Sequence, residues 1–305
     1  MQHLPDLHQL QLTGCALTIG SFDGVHRGHR ALIQSMLESA AGLPSVVLTF
    51  FPHPSVVLRE RRPSYYITSP DEKAALLGEL GVELVITQPF NRDLSRVEAE
   101  DFLDLLDRHL QFKALWAGED FALGYQRRGN RHFLEQVSPA RGFEFHLVPP
   151  YKLEGEVVSS TRVREALRAG DVTRVSDYLG RRFNLPGTVR RGAGRGKGLG
   201  IPTANLQIWE ERAYPGNGVY ACTARADAGS WPAVVNIGTR PTFEHSASTA
   251  VVEAHLLDYD GGDLYDQELV LTFFERLREE RRFPGPEALL EQIRLDIARA
   301  RAMLG

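Results

Sequence analysis

Residues 20–33 read GSFDGVHRGHRALI, behind the apolar run ALTI at 16–19 and ahead of a stretch patterned as an amphipathic helix. Gly14, Gly20, Gly24 and Gly28 surround two histidines three positions apart. A strand that hands over to a helix in this way reads as the opening of a parallel α/β sheet, where ligands bind beyond the carboxyl ends of the strands. The helix start offers unpaired N–H groups and a partial positive charge, so the place suits an anion. Gly20 and Gly24 allow close backbone approach, and His26 and His29, at i and i+3, project from nearly one side of the first turn. The constellation reads as a pocket for polyphosphate. Imidazoles there donate hydrogen bonds and, when protonated, add positive charge where a departing pyrophosphate accumulates negative charge. Two simpler readings stand beside it. The histidines could merely open a helix at the surface, or form part of a zinc site, although the HExxH pattern and a third ligand are missing.

Outward from this stretch, residues 15 to 184 alternate short apolar runs with helical patterns, the rhythm of βαβ units. CALTI, SVVLTF, ELVIT, ALWAG and FEFHLVP are expected strands; 28–41, a segment opened by Ser69-Pro70-Asp71-Glu72, and 99–110 are expected helices. After LGRRFNLPG the rhythm changes to strand following strand: NLPGTVRR, NGVYACTARAD, PAVVNIG, AVVEAHLLD and QELVLTFFERL. The pattern predicts a doubly wound α/β domain over 1–184 and, over 185–305, an antiparallel sheet curled into a small barrel. A terminal helix over 286–304 should pack on that barrel through Leu289, Leu290, Ile293, Ile297 and Ala300.

Bulk properties agree with two globular domains. The chain has 305 residues, 43% apolar and 24% charged, with a formal charge of −4. That charge gives no general reason to expect nucleic acid as a partner, so any phosphate binding must be local. Cys15 and Cys222 lie far apart, against a disulfide framework or a thiolate metal cage. The opening MQHLPDLHQL lacks a charged segment followed by an apolar core, and no stretch approaches the roughly 18 apolar residues of a membrane span. A soluble, cytoplasmic protein with no membrane partner is expected; composition is silent on oligomeric state.

A second glycine-rich stretch, RRGAGRGKGLGIPTANL at 190–206, superficially suggests a phosphate loop. The Walker pattern needs glycine where Arg191 stands and Ser or Thr where Gly198 stands, and IPTANL promises extended chain in place of a helix. It is therefore not read as a P-loop, though its glycines and basic side chains could close over phosphates. Thr203 and Asn205 fall on one side of a strand and offer hard oxygen ligands suited to magnesium held mainly by nucleotide phosphates. A plain turn into a strand is the simpler reading of the same residues.

The longer string Gly-x-Phe-Asp-Gly-x-His-x-Gly-His resembles the signature of the HxGH nucleotidyltransferase superfamily, whose members transfer AMP or CMP. VSSTRVREAL at 158–167 resembles that superfamily's ISSTxxR motif, which holds the nucleotide phosphates through its hydroxyls and final arginine. The resemblance implies phosphate-binding roles for Gly20, Phe22, Asp23, Gly24, Ser160, Thr161 and Arg164, with His26 and His29 catalytic. GEDFALGYQRRGN at 118–130 is similar to a segment of the adenylyltransferase branch that makes FAD, which singles out Asp120 as a nucleotide-binding residue. Leu123 stands where that family usually has phenylalanine. TFFPHP at 49–54 resembles the family's flavin-side loop, which implies flavin binding by His53; a solvated turn histidine is the alternative.

GRGKGLGIPTANL, NIGTRPTF, VEAHLLD and LREERRF resemble the riboflavin kinase family. The resemblance implies that Glu253 is the catalytic base, Thr203 and Asn205 are the metal ligands, Gly196, Lys197 and Gly200 bind phosphate, and Asn236 and Arg278 bind flavin. Arg276 departs from the aromatic usual before that Leu-Arg pair. A base is chemically sensible here, because an alcohol attacking a γ-phosphate must lose its proton while a metal offsets charge. Glu253 as a simple outward-facing strand residue remains the alternative.

The order of modules resembles the bacterial bifunctional riboflavin kinase/FMN adenylyltransferases. That resemblance implies riboflavin, FMN, FAD and ATP as substrates and products, with Mg2+ in both steps. Two other functions explain less. A single-function adenylyltransferase leaves the PTAN and VEAH segments without a role, and an RNA-binding barrel lacks interleaved aromatics for base stacking.

Overall fold

In a computed structural model that describes residues 1–59, 65–192, 201–240 and 249–304, the chain forms two compact units, Met1–Ser160 and Thr161–Gly305.

The first unit is a six-stranded parallel sheet with helices between its strands. In chain order its main elements are β1 (Gln2–Leu4), β2 (Ala16–Ile19), α1 (Arg27–Ser39), β3 (Ser45–Phe51), α2 (Pro54–Arg59), α3 (Pro70–Glu79), β4 (Leu84–Pro89), α4 (Ala99–Leu110) and β5 (Ala114–Gly118). A two-residue hairpin of β6 (Ala122–Leu123) and β7 (Gly129–Asn130) follows, then α5 (Arg131–Arg141), β8 (Glu144–Val148), and a second small hairpin of β9 (Lys152–Leu153) and β10 (Glu156–Val157). The strand order is β1-β4-β3-β2-β5-β8. The chain leaves β2 toward β3 and β4, then returns to β5 on its other side, so β2 ends at a topological switch point, where open sheets form ligand crevices.

The expected strands and helices of this half all occur. β2 and the first five residues of β3 are buried, as strands covered on both faces by helices must be. α3 begins with a capping box: Ser69 Oγ accepts from the Glu72 N–H at 3.2 Å and Glu72 Oε2 from the Ser69 N–H at 2.7 Å. β1, α2, α5 and the two small hairpins were not anticipated. β1 is three residues long, too short for alternation to reveal, and α5 carries Pro139 inside it, which interrupts the sequence pattern of a helix.

The second unit opens one residue into α6 (Ser160–Ala169), at Thr161, and continues with α7 (Val172–Leu179). A closed antiparallel barrel follows, built from β11 (Asn184–Arg190), β12 (Ala204–Gln207), β13 (Gly218–Ala226), β14 (Gly229–Arg240), β15 (Thr249–Leu256) and β16 (Glu268–Arg278), before α8 (Pro286–Leu304) ends the chain. Around the barrel the order is β11-β12-β15-β14-β13-β16, and β16 pairs back onto β11. Closure removes the free edges that an open sheet would leave. α8 covers part of the outer wall, with Ala300, Ile297 and Leu304 against Val219, Ala221 and Val234. Leu289, Leu290 and Ile293 are only partly buried, and the residues of α8 that are fully buried are Asp296 and Ala300.

α6 joins the second unit through its end. The Leu167 carbonyl accepts from the Gly216 N–H at 2.8 Å, and Arg276 donates to the Ala169 carbonyl at 3.4 Å and to the Asn217 carbonyl. The arginine that replaces an aromatic residue is therefore a clamp on two chain reversals. Both cysteines are buried and unpaired. Among the described residues, no helix is long and apolar enough to cross a membrane.

Candidate active sites

The loop between β2 and α1 is built from unusual backbone. Phe22 (φ 48°) and Val25 (φ 41°) occupy left-handed conformations that cost non-glycine residues energy. Both are buried, and the conformation is held from three directions. Asp23 Oδ1 accepts from the backbone N–H groups of Ile67 at 3.0 Å and Thr68 at 3.2 Å; Ser160 Oγ donates to the Asp23 carbonyl at 2.8 Å; Lys73 Nζ and Thr49 Oγ1 each donate to the Ser21 carbonyl at 3.0 Å. Gly24 is required twice over: its φ is +83°, and a Cβ there would lie 2.9 Å from Ile67 Cγ2. Its missing side chain makes room for Ile67, so the glycine serves the loop's own packing.

His26 is the N-cap of α1, and its Nδ1 accepts from the His29 N–H at 3.3 Å. The two rings stack 3.6 Å apart at 18°, and Phe22 meets His29 edge-on at 5.1 Å. His29 Nδ1 is buried and has no hydrogen-bond partner. Burial, then the neighbouring His26 and Lys73, hold the His29 imidazole well below its usual pKa. It is therefore a neutral ring in the resting molecule, and adds no standing positive charge.

Beside this loop lies a cavity of about 400 Å3 that runs from Gly20 and Ser21 to Asp120 and is walled by Phe50, Phe90, Phe102 and Phe121. His53 lies on its rim, where its Nδ1 accepts from the Ser55 N–H at 3.0 Å. Leu123 also lines it and is buried in the core with Phe102 and Leu134. The leucine offers the cavity an aliphatic wall in place of a ring. Thr161 and Arg164 follow Ser160 on α6 and fall in the second unit, with Arg164 buried.

The second site lies on the outside of the barrel. Ladder pairing sets Asn205 of β12 opposite Glu253 of β15, and Glu253 opposite Asn236 of β14. Opposite residues in an antiparallel ladder share a face, so these three form one row across three strands. The row continues to Val219 and then Arg278. Val252, Ala254 and Leu256 are buried while Glu253 and His255 are partly exposed, the alternation of a strand with one face in the core.

Thr203 immediately precedes β12, and the carbonyl beside it, that of Pro202, lies 2.8 Å from His255 Nδ1, which is thereby assigned as the donor. A Cβ on Gly192 would lie 2.6 Å from Asn205 Oδ1, so glycine there leaves space for the Asn205 amide. Arg278 Nε donates to Asp296 Oδ2 at 2.9 Å, and Gln292 donates to Asp296 Oδ1 at 2.8 Å. Gly196, Lys197 and Gly200 lie outside the described residues.

Two site-building residues escape a motif search, Lys73 and Asp296. Each is a charged residue in the buried stripe of an otherwise amphipathic helix, Lys73 beside Ala74 and Leu77, and Asp296 between Ile293 and Ala300. A charge placed among apolar positions is the signal that could have found them, because Lys and Asp are almost never fully buried without a partner.

Comparison with known proteins agrees with this division. Residues 8–162 match the FAD synthetase family model and residues 179–304 the riboflavin kinase model. A bifunctional riboflavin kinase/FMN adenylyltransferase of Pseudomonas fluorescens is 40% identical over 99% of this chain and 98% of its own length. Its counterpart from Escherichia coli strain K12 is 36% identical over 98% of this chain and 96% of its own. A crystal structure titled a macrolide-efflux protein, from Streptococcus pneumoniae, superposes with a TM-score of 0.89 at 26% identity and 98% coverage of both chains. With a switch-point loop in one unit, a polar row on a closed barrel in the other, and near full-length similarity to relatives carrying both modules, the chain belongs to the bifunctional riboflavin kinase/FMN adenylyltransferase family.

Proposed function

We propose that this chain makes FAD from riboflavin in two ATP-dependent steps, with riboflavin phosphorylated to FMN on the barrel and FMN adenylylated at the loop after β2. The observation that carries the reading is the position of Glu253 between Asn205 and Asn236 on one barrel face, which sets a carboxylate between an amide suited to a metal ion and one suited to a flavin. The functional division is 1–184 for adenylyl transfer and 185–305 for the kinase reaction.

In the kinase step Glu253 takes the proton of the ribityl 5′-hydroxyl as its oxygen attacks the γ-phosphorus of ATP, and ADP leaves. Thr203 and Asn205 supply hard oxygen donors on the Glu253 side of the sheet, a set that fits Mg2+. An ion held mainly by the nucleotide phosphates needs few protein ligands, and these two residues supply oxygens of the right kind. When bound, Mg2+ offsets the charge on the transferred phosphoryl group. Asn236 and Arg278 face the flavin, while Gly196, Lys197 and Gly200 close on phosphate.

In the adenylyl step an FMN phosphate oxygen attacks the α-phosphorus of a second ATP and pyrophosphate leaves. That oxygen is already a nucleophile at neutral pH, so the protein supplies alignment and charge stabilisation without a base. His26 and His29 donate to the phosphates from the α1 terminus, supported by Gly20, Phe22, Gly24, Asp120, Ser160, Thr161 and Arg164. Asp23 contributes by shaping the loop through Ile67 and Thr68. The apolar cavity beside the loop takes the isoalloxazine ring, with His53 at its rim. A reducing cytoplasm suits the two unpaired cysteines.

The test is direct: riboflavin and Mg-ATP are incubated with the full chain, and FMN and FAD are separated by chromatography. Accumulation of both in that order is expected. Absence of both ends the proposal, and FAD formed only from supplied FMN would remove the kinase half.

A further inference from the structure

Lys73, in the first turn of α3, is the one lysine buried among the described residues, at 5% relative exposure. Its Nζ donates to the Ser21 carbonyl at 3.0 Å and to Thr49 Oγ1 at 2.8 Å. An ammonium has three donors, and both of these partners are neutral. A buried cation whose hydrogen bonds go only to neutral oxygens is costly to keep, and such groups cluster at functional sites. Lys73 lies beneath the loop that opens α1, and its charge is felt by His29, which is itself held neutral. Asp23, the carboxylate that acts on Lys73 through space, already has Oδ1 on two backbone N–H groups.

We infer that Lys73 is a positioning residue for adenylyl transfer: its ammonium ties the Ser21 carbonyl to Thr49 on β3, holds the Gly20–Gly24 loop in shape for a triphosphate, and places a positive charge beneath that loop. The inference rests on the reading of that loop as the phosphate site. Lys73 differs from the motif residues in acting from below, through backbone and field, without touching the nucleotide.

Of the titratable groups around it, only Asp23 acts on its charge. Asp23 faces it from the loop and His29 from α1, while Glu72, on its own helix, is engaged with the Ser69 N–H; Ser21 and Thr49 are neutral. Burial brings the Lys73 ammonium down to about 8, against a smaller opposing pull from Asp23. Its charge is therefore present below about pH 8 and lost above it.

The test uses the full chain carrying Lys73→Met or Lys73→Arg. Lys73→Met should lower kcat for FMN adenylylation by about 100-fold, the usual scale for removing one preorganised charge or donor, and leave riboflavin phosphorylation at the wild-type rate. Wild-type adenylylation should fall as pH rises through about 8, and Lys73→Arg, whose guanidinium keeps its proton, should retain activity without that limb. A lysine that only packs would move neither the ratio of the two activities nor the alkaline limb. Adenylylation by Lys73→Met within twofold of wild type overturns the inference, as does an alkaline limb unchanged in Lys73→Arg. Should Lys73→Met fail to fold by thermal unfolding, the Lys73→Arg pH profile decides. Failure of the loop reading is separate and shows as undiminished FAD synthesis by His29→Ala.

Discussion

Glu253 and Asn205 face each other across the β15–β12 ladder, on the outer side of a barrel whose inner side at the next position is closed by Val252 and Leu206. The carboxylate cannot turn into the core, so its chemistry is directed to the surface row that it shares with Asn236. Truncating it should therefore remove a reaction and leave the barrel.

Glu253→Ala is expected to lower FMN formation from riboflavin by about 100- to 10,000-fold, the range for loss of a general base. The same variant given FMN and ATP should make FAD at the wild-type rate. Chromatographic assay of both products from one preparation checks this, and loss of both activities in a folded variant would argue against separate sites.

The reverse separation is expected at the other loop. His29→Ala removes a ring that stacks on His26 at 3.6 Å and fills the space against Phe22. FAD synthesis should fall by about 100- to 1,000-fold, as when a preorganised donor is lost, and FMN should accumulate because its synthesis is untouched. A time course started from riboflavin distinguishes this from a general slowing.

His29 also makes stability depend on acid. Its folded pKa is depressed well below 6.5, so the unfolded chain takes up a proton near 6.5 that the folded chain refuses. Acid then favours unfolding: stability present above pH 6.5 is lost as pH falls below it, by up to about 1.4 kcal/mol per pH unit for one proton. Urea unfolding of wild type and His29→Ala across this range should show a shallower acid slope in the variant.

Asp296 is predicted to couple α8 to the flavin side of the kinase site. Its side chain is 2% exposed and pairs with Arg278, which is 17% exposed. Asp296→Ala takes the carboxylate from a partly exposed guanidinium that keeps the Glu279 carbonyl and the Phe283 ring, so it should cost less than the about 3–5 kcal/mol typical of breaking a fully buried pair. Asp296→Asn keeps the hydrogen-bonding shape without the charge and should cost less. In both, KM for riboflavin should rise more than KM for ATP, read from initial rates of FMN formation.

Much of the fold was legible in sequence because local physics writes a periodic signal. Ser69-Pro70-Asp71-Glu72 announced the start of α3 through its cap, and the change from alternating strand and helix to consecutive strands announced the second architecture. The short β1 and the proline-bearing α5 were missed because neither carries a clean period. The motif residues were legible as types in patterns, but their surroundings were not. Nothing in GSFDGVHRGH reveals that Asp23 binds the backbone of Ile67 and Thr68, or that His26 caps the helix that carries His29.

The sequence alone determined the main strands and helices and the change of rhythm between them, the strand that hands over to a glycine-bracketed loop and a helix, and the face of β15 on which Glu253 lies, since each depends on neighbours along the chain. Tertiary structure alone decided that β2 sits at the switch of the sheet, that Asn205, Glu253 and Asn236 align in one row, and that Lys73 and Asp296 lie under the two sites. Periodicity tells a residue which side of its own element it faces. What stands opposite depends on how every strand pairs and closes, and that is a property of the whole core.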